Sequence, residues 1–234
     1  MSIKEIREKM SRVASPERAE FSQRFFKTGK GEYAEGDVFI GLTVPDLRKI
    51  ARDYQAIAYK DVLKLLKSPI HEERLLALII LCLKYAKADD EEKQQIYDLY
   101  LAHTKFINNW DLVDVSAPHI VGAYLFERDR QPLYELAVSK SLWERRIAVV
   151  APFHFIRQHD FDDLLKIAEL LLTDKHDLIH KAVGWMLREI GKRNQAYEEA
   201  FLQAHYKQMP RTMLRYAIER FEETTRRQYL TGQI

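Results

Sequence analysis

Cysteine is almost missing from this chain of 234 residues. Cys82 stands alone, so no disulfide framework can form within one chain, and its place in the apolar run LLALIILCLKYA reads as a small buried hydrophobe. Glycine (8) and proline (7) are both scarce against average usage of roughly 7% and 5%, which removes most helix breakers. No stretch approaches the ~18 uncharged apolar residues of a membrane span, and the charged opening MSIKEIREKM lacks the apolar core of a secretory signal. The expectation is a soluble, cytoplasmic protein. Charge imbalance is also small: 37 Lys and Arg against 35 Asp and Glu leave a formal net charge of +2, which neither demands nor excludes a polyanionic partner. Residues 140–234 hold 16 basic against 13 acidic side chains, an excess that matters only if the fold gathers those cations on one face.

What the chain does have is a hydrophobic share of 47%, ample for a continuous core. From Ile3 onward one amphipathic segment follows another, with apolar side chains three and four apart, as Leu75, Leu78, Ile79 and Cys82 are in the segment 71–86. Breaks near Ala14–Pro16, Thr28–Gly41, Pro69, Ala88–Asp90, Asn108, Arg130–Pro132, Ser141, Asp160, Asp174 and Pro210 divide the chain into roughly a dozen helices. Caps are legible at Ser15 with Pro16 and Glu17, at Thr43 with Pro45, and at Asp174 ahead of a segment starting near His176. Such starts every ~35 to 40 residues suggest helix pairs stacked like HEAT repeats. The predicted fold is an all-α, HEAT-like helical repeat solenoid forming one domain, 1–234.

The longest irregular stretch, Thr28–Gly41, holds four of the eight glycines. A glycine turn before a helix can cradle phosphate, but this one lacks the P-loop and dinucleotide spacings, and no strand precedes it; a plain connecting loop is the preferred reading. Large aromatics ordinarily anchor helix packing, yet Trp110, Trp143 and Trp185 all have charge close by. Trp110 and Asp114 share one helix face, and a carboxylate beside an aromatic is either paired with a cation or poised to meet one. Arg145 and Arg146 point about 100 degrees apart, so one can face a groove while the other meets solvent or an acid. Lys181, Trp185, Arg188 and Lys192 form a stripe that suits phosphate with aromatic contact, or equally a solvated face with a half-buried Trp. Eight histidines include no HExxH, and His176 and His180 lack a third ligand, so no metal is expected. Nucleophile-elbow, Cys/His, kinase and P-loop signatures are all absent.

Four stretches nonetheless resemble a known family: GDVFIGLTVPDLRKIAR (36–52), NNWDLVDVSAPHIVGAYL (108–125), SLWERRIAVVAPFHFIR (141–157) and HKAVGWMLREIGKRN (180–194). They are similar, in order and over most of the chain, to DNA alkylation repair proteins of the AlkD type, built from HEAT-like repeats. The strings W-D-x-V-D and K-A-x-G-W-x-L-R-E are the specific part. The resemblance implies a concave basic groove for duplex DNA containing alkylated bases. Trp110 and Trp185 would line the lesion site, Asp114 would be the catalytic carboxylate and Arg146 a cation of the same cleft. Trp143 then reads as packing, while Arg48, Lys181 and Arg188 are expected to contact DNA. No cofactor and no membrane is implied, and a monomer is expected.

The implied reaction is hydrolysis of the N-glycosidic bond of a cationic N3- or N7-alkylated purine. Such a base leaves without a strong general acid, and the sugar gains oxocarbenium character. An ionised Asp114 can stabilise that charge and orient water, Trp110 and Trp185 can attract the cationic base through their ring faces, and Arg146 can bind a nearby phosphate. The resemblance further implies that the lesion is held against the concave surface rather than flipped into a deep pocket. Two alternatives stand beside it: a non-catalytic relative that binds damaged or branched DNA, and a HEAT-like scaffold for protein partners, which needs no basic concave surface.

Overall fold

Local capping chemistry sets where the helices begin in the computed structural model, which describes residues 2–234. The chain divides into two compact units, one reaching Ile120 and the other running from Val121 to Ile234. The first holds α1 (Ile3–Val13), α2 (Pro16–Phe25), α3 (Val44–Tyr54), α4 (Tyr59–Leu66), α5 (His71–Tyr85), α6 (Asp90–Ala102) and α7 (Trp110–Ser116). The second holds α8 (Ala123–Leu125), α9 (Gln131–Ala137), α10 (Leu142–Val150), α11 (Phe153–Arg157), α12 (Asp162–Leu170), α13 (Asp177–Gly191), α14 (Gln195–His205), α15 (Arg211–Ala217) and α16 (Glu223–Thr231). Apart from an isolated bridge between Val38 and Ile70, no strand occurs among the described residues. The protein is all-helical, as predicted.

Ser15 and Thr43 cap α2 and α3, their hydroxyls accepting from Arg18 and Asp46 amides, with Pro16 and Pro45 just inside where a missing N–H costs nothing. The cap assigned to Asp174 is corrected. The α13 cap is His176, whose Nδ1 accepts from the Leu178 amide at 3.1 Å, while Asp174 accepts the His176 amide and pairs with Arg145. Prolines also split longer helical runs. Pro118 cannot donate to the carbonyl one turn back, and the chain there widens into a π segment, Pro118–Gly122, between α7 and α8.

In the first unit α5 is the centre. It packs against α3, α4, α6 and α7, so the amphipathic reading of 71–86 is corrected: Leu75 to Leu81 are buried without a break, and even His71, Glu72, Glu73 and Arg74 are enclosed. Those four polar residues are accommodated by specific partners. Glu72 accepts the Ile40, Gly41 and Leu42 amides at 2.7–3.3 Å, and Glu73 receives Arg7 in a two-pronged bond at 2.8 Å. Glu72 thereby fastens the end of the 28–41 loop onto α5. The second unit has the same logic around α13, which packs on α10, α11, α12, α14 and α15. Within each unit helices separated by one or two others in sequence pack on each other, α3 on α5 on α7 and α10 on α13 on α15, the arrangement expected of helical repeats.

Candidate functional site

The 28–41 loop makes no anion cradle. Its Gly29 and Gly31 amides donate to the loop's own Glu32 and Glu35 carboxylates, each at 2.8 Å, so the connecting-loop reading fits. Its role is to deliver Asp37 and Phe39 to the start of α5, where the His71 amide bonds the Val38 carbonyl at 2.9 Å.

Trp110 opens α7 under the cap of Asn109, whose Oδ1 accepts the Trp110 amide at 2.8 Å. The indole stacks on Phe26 (5.2 Å, 20°), and Phe25, 54% exposed, meets it edge-on at 6.0 Å. Phe26 in turn stacks on Phe39 at 5.0 Å. One turn further along α7 lies Asp114, partly exposed, just before the π segment. Its charge reaches the buried Tyr100 hydroxyl. That phenol is pushed upward first by burial and, in lesser part, by Cys82 and Asp114, while its bond to Ser116 acts the other way.

Beside Asp114, Val115 lines a cavity of about 320 Å³ between α3, α5 and the end of α7. Its floor is apolar, from Ile79, Cys82, Leu83 and Ala86, and Arg48, Arg52 and His119 supply its polar wall. Cys82 is inert here, since burial pushes its thiol up to about 12. Arg48 and Arg52 are one turn apart on α3 and both exposed. Among the described residues neither guanidinium lies within ion-pair distance of a carboxylate. Two uncommitted cations above an apolar floor can take a phosphate together with the carbon face of its sugar.

Arg146 and Trp185 belong to the second unit. Arg146 is only 5% exposed, and its Nη1 donates to the Leu178 carbonyl at 2.7 Å, joining α10 to α13. Trp185 is half-buried on α13, its indole N–H donating to Glu189 Oε1 at 3.3 Å. Phe153 lies 5.8 Å from the Trp185 ring, and Arg157 and Arg193 lie over Phe153 at 4.3 and 5.7 Å. The proposed cationic stripe is largely neutralised. Lys181 pairs with Asp177 at 2.7 Å, Arg188 with Glu219, and Lys192 with Glu189 at 2.5 Å. Burial raises the Glu189 carboxyl, but Lys192, Arg193 and the Trp185 N–H outweigh it and hold it below its ordinary value.

The structure thus brings Trp110, Asp114 and Arg48 into the first unit, and Arg146, Lys181, Trp185 and Arg188 into the second. Sequence reasoning missed Phe25, Phe26, Arg52 and the pair Phe153/Arg157. Arg48 with Arg52, and Phe153 with Arg157, carry the i, i+4 spacing that could have found them.

Comparison with known proteins adds the family. A family profile described as DNA alkylation repair enzyme matches residues 6–221. The fold is similar to that of a predicted DNA alkylation repair enzyme from Enterococcus faecalis, at 17% identity and TM-score 0.68 over 90% of this chain and 97% of that one. It is also similar to AlkD2 from Streptococcus mutans, at 15% identity and TM-score 0.57 over 88% and 98%. A third similar structure is smu.31 from Streptococcus mutans UA159, at 17% identity and TM-score 0.52 over 77% and 92%. No curated protein matches the chain. At these identities the solved structures show a shared fold, and the profile, which spans nearly the whole sequence, shows that the chain belongs to the DNA alkylation repair enzyme family.

Proposed function

We propose that the protein is a DNA glycosylase that releases cationic N3- or N7-alkylated purines from duplex DNA. The observation that carries this reading is the first turn of α7: a half-buried Trp110, backed by Phe26, and a part-exposed Asp114 four residues on, beside a cavity walled by two uncommitted guanidiniums. In this reading Arg48 and Arg52 bind the sugar-phosphate backbone. Trp110 offers a ring face to the charged base, an attraction of about 0.5 to 2 kcal/mol. Asp114 faces the sugar as positive charge builds there, and holds the attacking water. In the second unit Trp185 offers a ring face to DNA, its orientation fixed by Glu189, and Arg146 ties α10 to the start of α13.

The test is Asp114→Asn, which keeps size and most hydrogen-bonding capacity. Duplex affinity and melting temperature should hold near wild type, while single-turnover release of N7-methylguanine or N3-methyladenine should fall on the order of 100-fold, about 3 kcal/mol of barrier. Unchanged release by a folded variant would remove Asp114 from the chemistry. DNA binding without base release from either lesion, in the wild-type protein, would favour the non-catalytic damage binder.

A further inference from the structure

We propose that His71 is a positioning residue, whose ring bridges two carboxylates from different elements and so holds Trp110 and the first turn of α7 in place. The inference rests on Trp110 and Asp114 being the lesion-facing pair. His71 is 1% exposed at the start of α5. Its Nδ1 lies 3.1 Å from Asp37 on the 28–41 loop, and its Nε2 lies 2.8 Å from Asp111 on α7. The residues on both sides of Trp110 belong to this network. Asp111 binds the ring directly, while Asn109, which caps the Trp110 amide, also donates to Asp37 at 3.4 Å. The imidazole also packs against two aromatic neighbours, Phe39 at 4.5 Å and Phe26 at 5.1 Å, and Phe26 is the ring on which Trp110 stacks. One side chain therefore touches the capping residue's partner, the next residue along and the supporting ring of Trp110.

The bridge works only with both ring nitrogens protonated, because a neutral imidazole has one N–H and would aim a lone pair at one of the two carboxylates. Every charged group facing the ring bears on that. Asp37 and Asp111 favour the imidazolium, and Arg74, which pairs with Asp37 at 2.7 Å, opposes it. Glu72 and Glu73, although adjacent in sequence, are bound to the 40–42 amides and to Arg7. From the end of α2 the ring meets Phe26, and from the loop it meets Phe39 as well as Asp37. Burial disfavours the charge, but the hydrogen bonds that the ring donates to Asp111 and Asp37 outweigh it, and the imidazole is held above its ordinary value. Burial likewise raises Asp37, and His71 and Arg74 reverse that and hold it ionised. The bridge therefore stays complete to a higher pH than an ordinary imidazole would allow, and opens as pH rises through the raised His71 value.

The experiment is a pH titration of the full chain by NMR, following the indole N–H signals and the histidine ring signals together. Trp110 is identified by its loss in Trp110→Phe, and His71 by its loss in His71→Gln. The Trp110 signal should move with the midpoint of His71, above the ordinary imidazole value, and Asp111→Asn should lower both midpoints in step. Base release from N7-methylguanine duplex should show the same alkaline limb, displaced likewise in Asp111→Asn. A Trp110 signal indifferent to His71 titration would overturn the proposal, as would a shift of one midpoint without the other in Asp111→Asn. Should Asp111→Asn fail to fold, the wild-type titration decides alone. If the indole follows His71 but no base is released at any pH, the positioning role stands and the glycosylase reading falls.

Discussion

Glu198 is the counterpart of His71 in the second unit, a buried ionisable group whose environment favours its neutral form. It is 2% exposed on α14, and among the described residues its Oε1 has no hydrogen-bond partner. Its other oxygen occupies the space that a Cβ on Gly191 would need. Burial, then the charge of Glu199, push the carboxyl up to about 8, against the weaker pull of Arg188. The native form keeps a proton that the unfolded chain releases near 4.5, so stability falls as pH rises between those values. Glu198→Gln removes that dependence. Scanning calorimetry at about pH 6 and about pH 8 should show a flatter response than wild type, with Tm higher by roughly 5 °C at the alkaline end. An equal pH response in both proteins would mean that Glu198 is already ionised. Neither Glu198 nor His71 was legible in the sequence, and for one physical reason. The partners of His71 lie 34 and 40 positions away, and a lone acid in a helical segment looks like every solvated one until the packing around it is known.

At the level of the helix, close approach rather than side-chain chemistry decides where α13 sits. A Cβ on Gly184 would strike the Met213 carbonyl oxygen and fall 2.6 Å from the Tyr216 Cβ on α15. The glycine before Trp185 is thus where α15 comes closest to the backbone of α13. Gly184→Ala should destabilise the protein by about 1–3 kcal/mol despite the better helix propensity of alanine. Chemical denaturation checks this, and a neutral or stabilising result would show that α15 shifts freely. Helix existence was legible because capping and periodicity are local: Ser15 and Thr43 cap as read. The His176 cap was not, because Asp174 is drawn to Arg145, a partner 29 positions away. Nor was the enclosure of α5, since the sequence of 71–86 offers a polar first turn whose charges all find partners outside that helix. The W-D-x-V-D string placed Trp110 and Asp114 on one helix face correctly, but Phe25 and Phe26, which buttress that Trp, are the last residue and the C-cap of a helix that buries no residue of its own.

Over the whole molecule, a formal charge of +2 hides which cations are already engaged. Arg7, Arg74, Arg130, Arg145, Lys181, Arg188, Lys192 and Arg193 all have carboxylate partners, whereas Arg48 and Arg52 have none within ion-pair distance. Each phosphate neutralised contributes about 0.9 to the slope of log affinity against log salt. Arg48→Gln with Arg52→Gln should therefore lower the slope by about two. Lys181→Gln with Arg188→Gln, which removes cations already compensated, should lower it by less. Fluorescence anisotropy on undamaged duplex at several salt concentrations makes the comparison, and equal slopes in the two double variants would contradict it. On the proposed reading the pair Arg48 and Arg52 also has a kinetic face. A contact that neutralises only two phosphates releases few counterions on landing and has little hold on undamaged DNA, so the search runs by many brief landings rather than long slides. Two lesions on one duplex would then be reached in separate encounters at physiological salt, with singly repaired duplex accumulating before the doubly repaired form.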